Sequence, residues 1–271
     1  MLYFVSTPVG NLKDISLRAL EVLKSVDVIA CEDTRTSLKL LNHYEIKKPL
    51  VAYHKFNETV AADKIIRDLK SGKNIALITD AGTPVVSDPG NVLTKMLSEE
   101  GIEYTIIPGA TAFVPALILS GLDAQRFAFI GFLPGKKKDR EELLARYKNL
   151  DMTLIFYSAP HDLLGDLESF YEAFGARKAA VCKEITKLHE GVERITLGKT
   201  LAEQEPKGEY VVVVEGGEAK ESELLFLSVE EHIKHYMKSG MDKKEAIKAV
   251  AKDRKISKSE VYKHSVDIAN N

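Results

Sequence analysis

The hydrophobic pattern changes character about halfway along the chain. In the first part, apolar runs of strand length (Leu2 to Val5, Val26 to Ala30, Leu50 to Tyr53, Ile75 to Ile78) alternate with helix-like segments, Ser16 to Lys24, Thr34 to His43, Ala61 to Lys70 and Asn91 to Glu100. In those segments apolar residues recur every three or four positions, the spacing of one face of a helix. A strand that hands over to a helix each time rejoins its sheet by a crossover, so this rhythm predicts a parallel sheet with helices on both faces. From Phe127 onward, Phe127 to Phe132, Thr153 to Tyr157, Ala179 to Lys183, Val192 to Thr196 and Tyr210 to Glu215 read as strands, with clear helices only after Lys138 and after His161. Fewer helices per strand predict a mixed sheet. The expected class is therefore α/β, with an N-terminal domain over residues 1–115, a second α/β domain over 116–218 and a small helical unit over 225–271, the first boundary falling between Thr111 and Leu122.

The last unit follows Gly216, Gly217 and an acidic stretch, Glu218 to Glu223. Asp242-x-x-Glu245 and Ser257-x-x-Glu260 are capping-box patterns, each opening a short helix, and Ala246, Ile247, Val250 and Ala251 form the apolar stripe of the first. Two helices separated by Asp253 to Ile256 have the form of a helix-turn-helix that turns Lys258, Lys263 and His264 outward. From Ser228 to the end, ten Lys or Arg stand against seven Asp or Glu, which makes the tail +3 and, with −2 overall, the remainder −5. A basic helical pair fits a nucleic-acid contact; a packing or dimer-supporting appendage fits it equally.

Composition narrows the class further. At 271 residues and 45% hydrophobic, the chain can build one large or two ordinary cores. Its longest apolar runs, such as Val211 to Val214, are too short for a bilayer, and residues 1–10 lack the basic start and apolar core of a signal peptide. A cytoplasmic protein without a membrane partner is expected. Two cysteines far apart, Cys31 and Cys182, point to a reducing compartment with both thiols buried.

Three loops carry the candidate chemistry. Ser6 to Asn11 (STPVGN), Asp80 to Gly90 (DAGTPVVSDPG) and Ile107 to Thr111 (IPGAT) each follow a strand and are rich in Gly and Pro. Proline cannot donate a backbone hydrogen bond and glycine permits positive φ, so such loops leave peptide groups available to a ligand. In an open parallel sheet they gather beyond the carboxyl ends of the strands, where ligands bind. Neither the dinucleotide fingerprint G-x-G-x-x-G nor the phosphate loop G-x-x-x-x-G-K occurs there, which makes NAD and ATP poor candidates. No metal site is expected.

The order TPVGN, CEDTRTSLKLL, YHKFNE, ITDAGTPVVSDPG, IPGATA, FYSAPHD, CKEITKLHE and KGEYVVVVEG, running from Leu2 to Gly217, resembles the tetrapyrrole methylase superfamily. Within it, EDTR and SDPG resemble the branch that methylates small-subunit ribosomal RNA. Relatives acting on corrin and porphyrin precursors begin with G-x-G-P-G-D, where this chain reads Thr7-Pro8-Val9-Gly10-Asn11, and their G-D-P turn is here Gly82-Thr83-Pro84. Both departures count against a tetrapyrrole substrate. The resemblance implies a two-domain homodimer of tetrapyrrole-methylase-like fold that binds S-adenosyl-L-methionine between its domains. It also implies methylation of the ribose 2′-hydroxyl of cytidine 1402 in the 16S rRNA of the 30S subunit. The cofactor residues it implies are Pro8, Asp80, Gly82, Val85, Ala110, Thr111, Phe156, Tyr157 and Gly208. Methylation of a small molecule and non-catalytic RNA binding are the alternative readings.

A ribose hydroxyl is a poor nucleophile at neutral pH, so a nearby base or cation is expected to assist. Candidates are Glu32, Asp33, Arg35, His54, Lys183, Glu184 and Lys187. Of these, Asp33, Arg35, Lys183 and Glu184 are expected to line the acceptor side of the cleft. Each has a structural alternative: Asp33 as a helix cap, Arg35 as a surface residue, His54 in packing, and Lys183 with Glu184 as part of a solvated charge run. The run Gly135 to Arg140 (GKKKDR) is either a soluble loop or a flap that contacts RNA phosphates.

Overall fold

The computed structural model describes residues 1–201, 205–217, 223–225, 227–265 and 268. Among these, two five-stranded sheets share one compact unit, residues 1–148 with 152–216, and residues 149–151 with 217–271 form another. The first sheet is wholly parallel: β1 (Leu2–Val5), β2 (Val28–Cys31), β3 (Leu50–Ala52), β4 (Ile75–Ile78) and β5 (Tyr104–Ile107) lie in the order β3-β2-β4-β1-β5.

Alternate strand residues feed opposite faces of this sheet. Val5, Ile29, Cys31, Ala76 and Ile78 pack with Ala19 and Leu23 of α1 (Leu17–Ser25) and Leu41 of α2 (Thr34–His43). Leu2, Phe4, Ala30, Ile75 and Leu77 pack with Ala62, Ile65 and Ile66 of α3 (Glu58–Lys70) and Leu93 and Leu97 of α4 (Asn91–Glu99). Helices thus cover both faces, as the sequence rhythm predicts. Each fully buried leucine contributes about 1.5–3 kcal/mol relative to exposure, which is what holds the strand ends, and hence the loops, in register.

The second sheet is mixed. Helix α5 (Phe113–Ser120) precedes it, and its strands β6 (Phe127–Phe132), β7 (Thr153–Ser158), β8 (Lys178–Lys183), β9 (Gly191–Thr196) and β10 (Tyr210–Val214) lie in the order β6-β7-β10-β8-β9. Only β6 and β7 run parallel; the other pairs are antiparallel. Ala116 and Leu117 of α5 cover the face made by Ile155, Ala180, Cys182, Val211 and Val213. The opposite face, with Leu154, Phe156, Val181, Val212 and Val214, is covered by Leu144 of α6 (Lys137–Tyr147) and Phe170 and Phe174 of α7 (Leu163–Phe174). Cys31 and Cys182 are buried free thiols in separate clusters.

Among its described residues the tail contains three helices where the sequence reading finds two: α8 (Val229–Lys238), α9 (Lys243–Asp253) and α10 (Lys258–Lys263). Ser228 and Glu231 form a complete capping box for α8, as Asp242 and Glu245 do for α9, while Ser257 Oγ accepts from the Glu260 amide at 3.2 Å. Ile233, Ala246, Ile247, Val250, Ala251 and Val261 make a small core of their own. Lys258, Lys263 and His264 are exposed. Most of the acidic stretch, residues 218–222, lies outside the described residues. No helix among the described residues is long and apolar enough to cross a membrane.

Candidate active site

Strands β4, β1 and β5 are neighbours, so the three Gly/Pro loops leave the sheet side by side and are stitched together by hydrogen bonds. Thr7 and Gly82 exchange backbone bonds of 2.8 and 3.1 Å, and Thr7 Oγ1 donates to the Thr79 carbonyl at 3.2 Å. Thr83 Oγ1 donates to the Ala110 carbonyl at 3.1 Å and lies 3.0 Å from Ser6 Oγ, which must donate to it in turn because a hydroxyl has one proton. A side chain at Gly109 would bring Cβ within 2.9 Å of Ser6 Cβ, so the Pro-Gly of the third loop allows the first loop its approach.

Against these loops lies a cavity of about 420 Å³. One wall comes from Val9, residues 80–83 and 86–88, and Thr111 to Phe113; the other comes from the second sheet, through Phe132, Tyr157 to Pro160, Ile185 and Glu209 to Val211. The volume is ordinary for a small-molecule site.

Of the cofactor residues expected from the sequence, Asp80, Gly82, Thr111 and Tyr157 stand on the cavity wall. Pro8 is buried beside the lining residue Val9, and the Ala110 carbonyl is engaged by Thr83. Val85, at φ 75°, turns its side chain toward the core packed on α4. Gly208 sits next to Glu209. Phe156 is fully buried on the far face of β7, its ring 4.4 Å from that of Phe170, so only its backbone is turned to the strand that supports the cavity. The adjacent Tyr157 faces inward.

The four residues expected on the acceptor side flank the cavity in two pairs and are not part of its wall. Asp33 caps α2 by accepting from the Arg35 amide at 2.8 Å, and the Arg35 guanidinium returns a bond of 2.8 Å to the same carboxylate. That side-chain bond from Arg35 draws the Asp33 carboxyl down to about 2. The Asp33 amide donates to Asp80 Oδ1 at 3.2 Å, which ties the EDTR turn to the wall. On the other side, Glu184 has a left-handed backbone (φ 50°) and accepts from Lys187 Nζ at 2.8 Å and the Glu209 amide at 2.9 Å. The Lys187 bond holds its carboxyl below the usual range. Lys183 places its ammonium 5.9 Å from the centre of the Tyr210 ring. Gly10 is needed for the two sides to meet: a Cβ there would come within 2.4 Å of Lys187 Cγ, and the Asn11 amide donates to Thr186 Oγ1 at 3.0 Å. The His54 amide donates to Asn57 Oδ1 at 2.8 Å, while its Nδ1 is buried without a partner among the described residues.

Several wall residues escaped the sequence reading. Asp88, in the SDPG turn, is the most consequential: burial, then the charge of Glu32, pushes its carboxyl up to about 6. Glu32 and Asp80 are raised too, each first by burial. Ser158, also on the wall, donates to the buried Asp166 Oδ2 at 2.6 Å, and Arg140, whose Nε donates to the Pro134 carbonyl at 3.2 Å, approaches Asp166 Oδ1 at 3.5 Å. Both lie in motifs the sequence displays, SDPG and FYSAPHD. Their environments depend on the fold: Ser158 on Asp166 in the following helix, and Asp88 on Glu32 from the β2 loop.

A pocket beyond the carboxyl ends of parallel strands, walled on its other side by a mixed α/β lobe, defines the two-lobed methylase architecture. The uroporphyrin-III-C-methyltransferase of Thermus thermophilus shares it at a TM-score of 0.57 and 23% identity, covering 80% of this chain and 94% of that one. A diphthine synthase shares it at 0.59 and 18%, covering 79% and 89%. The chain belongs to the family of tetrapyrrole (corrin/porphyrin) methylases, whose pattern it matches over residues 1–201. It is 45% identical to the ribosomal RNA small subunit methyltransferase I of Halalkalibacterium halodurans, over 96% of this chain and 93% of that protein. The protein of the same name from Bacillus subtilis is 45% identical, over 97% and 92%, and that from Synechocystis 39%, over 99% and 98%.

Proposed function

We propose that this protein is an S-adenosyl-L-methionine-dependent methyltransferase acting on the ribose 2′-hydroxyl of cytidine 1402 in 16S rRNA, with the 30S subunit as its partner. The observation that carries this reading is the match, 39–45% identical along nearly the whole of both chains, to relatives named for small-subunit rRNA methylation. The likeness to a porphyrin-precursor enzyme is far weaker, at 23%. A homodimer working in the cytoplasm is part of the same proposal and rests on the family resemblance.

The residues present suit the cofactor. A mainly apolar cavity with Tyr157 on one wall can cover an adenine ring, and the 80–83 turn with Thr111 offers polar groups for an amino acid moiety. Pro8, Val85, Ala110 and Gly208 shape the backbone around those walls, and Phe156 anchors the strand that carries Tyr157. When bound, S-adenosyl-L-methionine supplies an electrophilic methyl group on a sulfonium. The protein's own task is to orient the acceptor and exclude water, an effect worth roughly 7–11 kcal/mol in favourable cases. Asp33 and Arg35 on one flank, and Lys183 and Glu184 on the other, stand where they can position the RNA strand.

Two measurements test the reading. Calorimetric titration is expected to show micromolar binding of S-adenosyl-L-methionine, and radiolabelled cofactor is expected to label 30S particles but not a porphyrin precursor. The labelled RNA should resist alkaline scission at one linkage, because a methylated 2′-oxygen cannot attack the neighbouring phosphate. Scission there as usual would refute the ribose assignment.

A further inference from the structure

We propose that Phe56, in the loop that joins β3 to α3, is a platform on which a base of the acceptor RNA stacks. The proposal rests on the functional reading above and supplies it with a contact to the substrate.

Phe56 is 94% exposed, more than any other large apolar side chain among the described residues. In a loosely held loop that exposure would mean little, but this loop is tightly built. The Asn57 amide donates to the His54 carbonyl at 2.9 Å, and the His54 amide donates to Asn57 Oδ1 at 2.8 Å, which closes a turn around Lys55 and Phe56. Asn57 Nδ2 donates to the Ala52 carbonyl at the end of β3 at 3.1 Å, and the Asn57 carbonyl accepts the Ala61 amide of α3 at 2.9 Å. One asparagine therefore fastens the turn to the strand before it and the helix after it. Beneath the turn, the hydroxyl of the buried Tyr53 donates to Glu58 Oε1 at 3.2 Å. The His54 ring stands 6.2 Å from that of Phe56 at 61°, within the range of edge-to-face aromatic pairs. The ring is held outward by a bonded turn instead of folding back onto the core.

The loop stands at the reacting edge of the sheet. Strand β3 runs parallel to β2, and β2 to β4, so the loop after β3 leaves on the same side as those that wall the cavity. His54 lies within electrostatic reach of Glu32, which accepts from Thr79 Oγ1 at 3.4 Å, and Glu58 Oε1 accepts the Gly90 amide at 2.7 Å. Residues 54–58 do not line the cavity itself. Phe56 is thus left outside the cofactor's space, on the flank across which an acceptor strand delivers its ribose.

The chemistry around the ring favours a nucleobase over a protein. Lys55 is exposed and makes no ion pair among the described residues, and the Arg35 side chain of the adjacent β2 loop is 88% exposed although paired with Asp33. In the loop and the first turn of α3, the other large apolar side chain in the open is Val60. A protein interface of ordinary size covers about 800 Å² on each partner around an apolar centre. One ring and one valine flanked by cations do not make such a centre. A single-stranded nucleotide offers a flat π face and a phosphate, which an aromatic ring next to a lysine matches on both counts. Presenting a ribose hydroxyl requires the nucleotide to leave its stack, and stacking on Phe56 offsets that loss while setting the direction of entry.

The test uses the full-length protein with a 16S rRNA fragment that contains nucleotide 1402. Phe56→Ala is expected to weaken binding of the fragment by about fivefold to 150-fold, the effect of losing one stacked base. The slope of log affinity against log salt should stay as in wild type, because no phosphate contact is removed. Cofactor affinity by calorimetry and the thermal midpoint should not change. Phe56→Leu, which keeps apolar bulk but has no π face, should behave like Phe56→Ala, whereas Phe56→Trp should bind at least as tightly as wild type. The chain contains no tryptophan, so Phe56→Trp carries a single indole, and its emission should be quenched as the fragment binds. Wild type that labels RNA, with Phe56→Ala or Phe56→Leu binding the fragment within about twofold of it, would overturn the proposal alone. So would an indole emission that stays constant through saturation. A shifted sedimentation coefficient in Phe56→Ala with RNA affinity intact would assign the ring to contact with a second copy of the chain and overturn it as well. Wild type that binds the cofactor but labels no RNA would instead overturn the functional reading, and the proposal with it.

Discussion

Gly208 lies so close to Glu184 that a Cβ on it would meet the Glu184 carboxylate oxygen Oε1 at 2.5 Å. The same carboxylate accepts the Glu209 amide and the Lys187 ammonium, and Glu209 is on the cavity wall, so the glycine sets how near the CKEITK turn comes to the site. Gly208 also has φ 88°, where an alanine is strained. Gly208→Ala is therefore expected to destabilise the protein by about 1–3 kcal/mol and to weaken S-adenosyl-L-methionine binding at least tenfold, read by thermal unfolding and calorimetry on the same sample.

Asp88 carries a stability signature opposite to that of an ordinary salt-bridged carboxylate. Its folded value, about 6, lies above the unfolded 3.8, so between those pH values the folded state holds more protons than the unfolded one. Stability must then fall as pH rises through that window, and above it the ionised group is a standing penalty. At 1.36 kcal/mol per pH unit the penalty is at most about 3 kcal/mol, and solvent access to the half-buried group reduces it to on the order of 1 kcal/mol. Asp88→Asn should be more stable than wild type at pH 8 by that amount, with the gain gone below pH 4.

The wall residue Ser158 depends on a buried charge pair. Asp166 is 3% exposed and accepts from Ser158 at 2.6 Å, with the Arg140 guanidinium 3.5 Å from its other oxygen. Removing one partner strands the other in a poorly solvated place, so Asp166→Ala should cost about 3 kcal/mol in urea unfolding. Arg140 also bonds the carbonyls of Pro134 and Gly135. Arg140→Ala should therefore destabilise less than Asp166→Ala but loosen the start of the GKKKDR run, giving faster proteolysis there. Equal effects of the two substitutions would argue against the pairing.

What the sequence discloses about this protein follows from what local patterns can encode. The parallel sheet is legible because β1 to β5 alternate with helices of regular period, and the convergence of the three loops is legible because Gly and Pro mark each of them. The side-chain directions of Phe156 and Tyr157 are not, since β7 is buried on both faces and TLIFYS shows no alternation to read. Asp33 beside Arg35 resembles a catalytic pair, yet its position before α2 is also that of a cap, and the structure uses it as one. The tuning of Asp88 needs Glu32 and Asp80, which only the fold brings near it. Helix α8 was within reach: Ser228-x-x-Glu231 is the same signal that announces α9.

Of the two basic features, the tail is the better candidate for RNA contact. Lys137 and Lys138 of the GKKKDR run face Glu141 and Glu142 one turn away, at 3.8 and 3.9 Å, so part of their charge is answered locally. On α9, by contrast, Lys244, Lys248 and Lys252 are exposed and make no ion pair among the described residues. They recur every four residues, about 6 Å apart along the axis. Four acids of that unit are engaged elsewhere: Glu231, Asp242 and Glu245 in helix caps, and Asp253 with the Tyr236 hydroxyl at 2.6 Å. A one-sided lysine stripe of this kind suits successive phosphates. Replacing all three lysines by Glu in the full chain should weaken binding of a 16S rRNA fragment and reduce the slope of log affinity against log salt by about 2, at roughly 0.7 per lost single-strand contact. Cofactor affinity should not change. If the tail instead supports packing or a dimer, the salt slope will stay as in wild type while the sedimentation coefficient shifts, whereas Lys136, Lys137 and Lys138 to Ala will carry the larger loss in RNA affinity if the flap is the true contact.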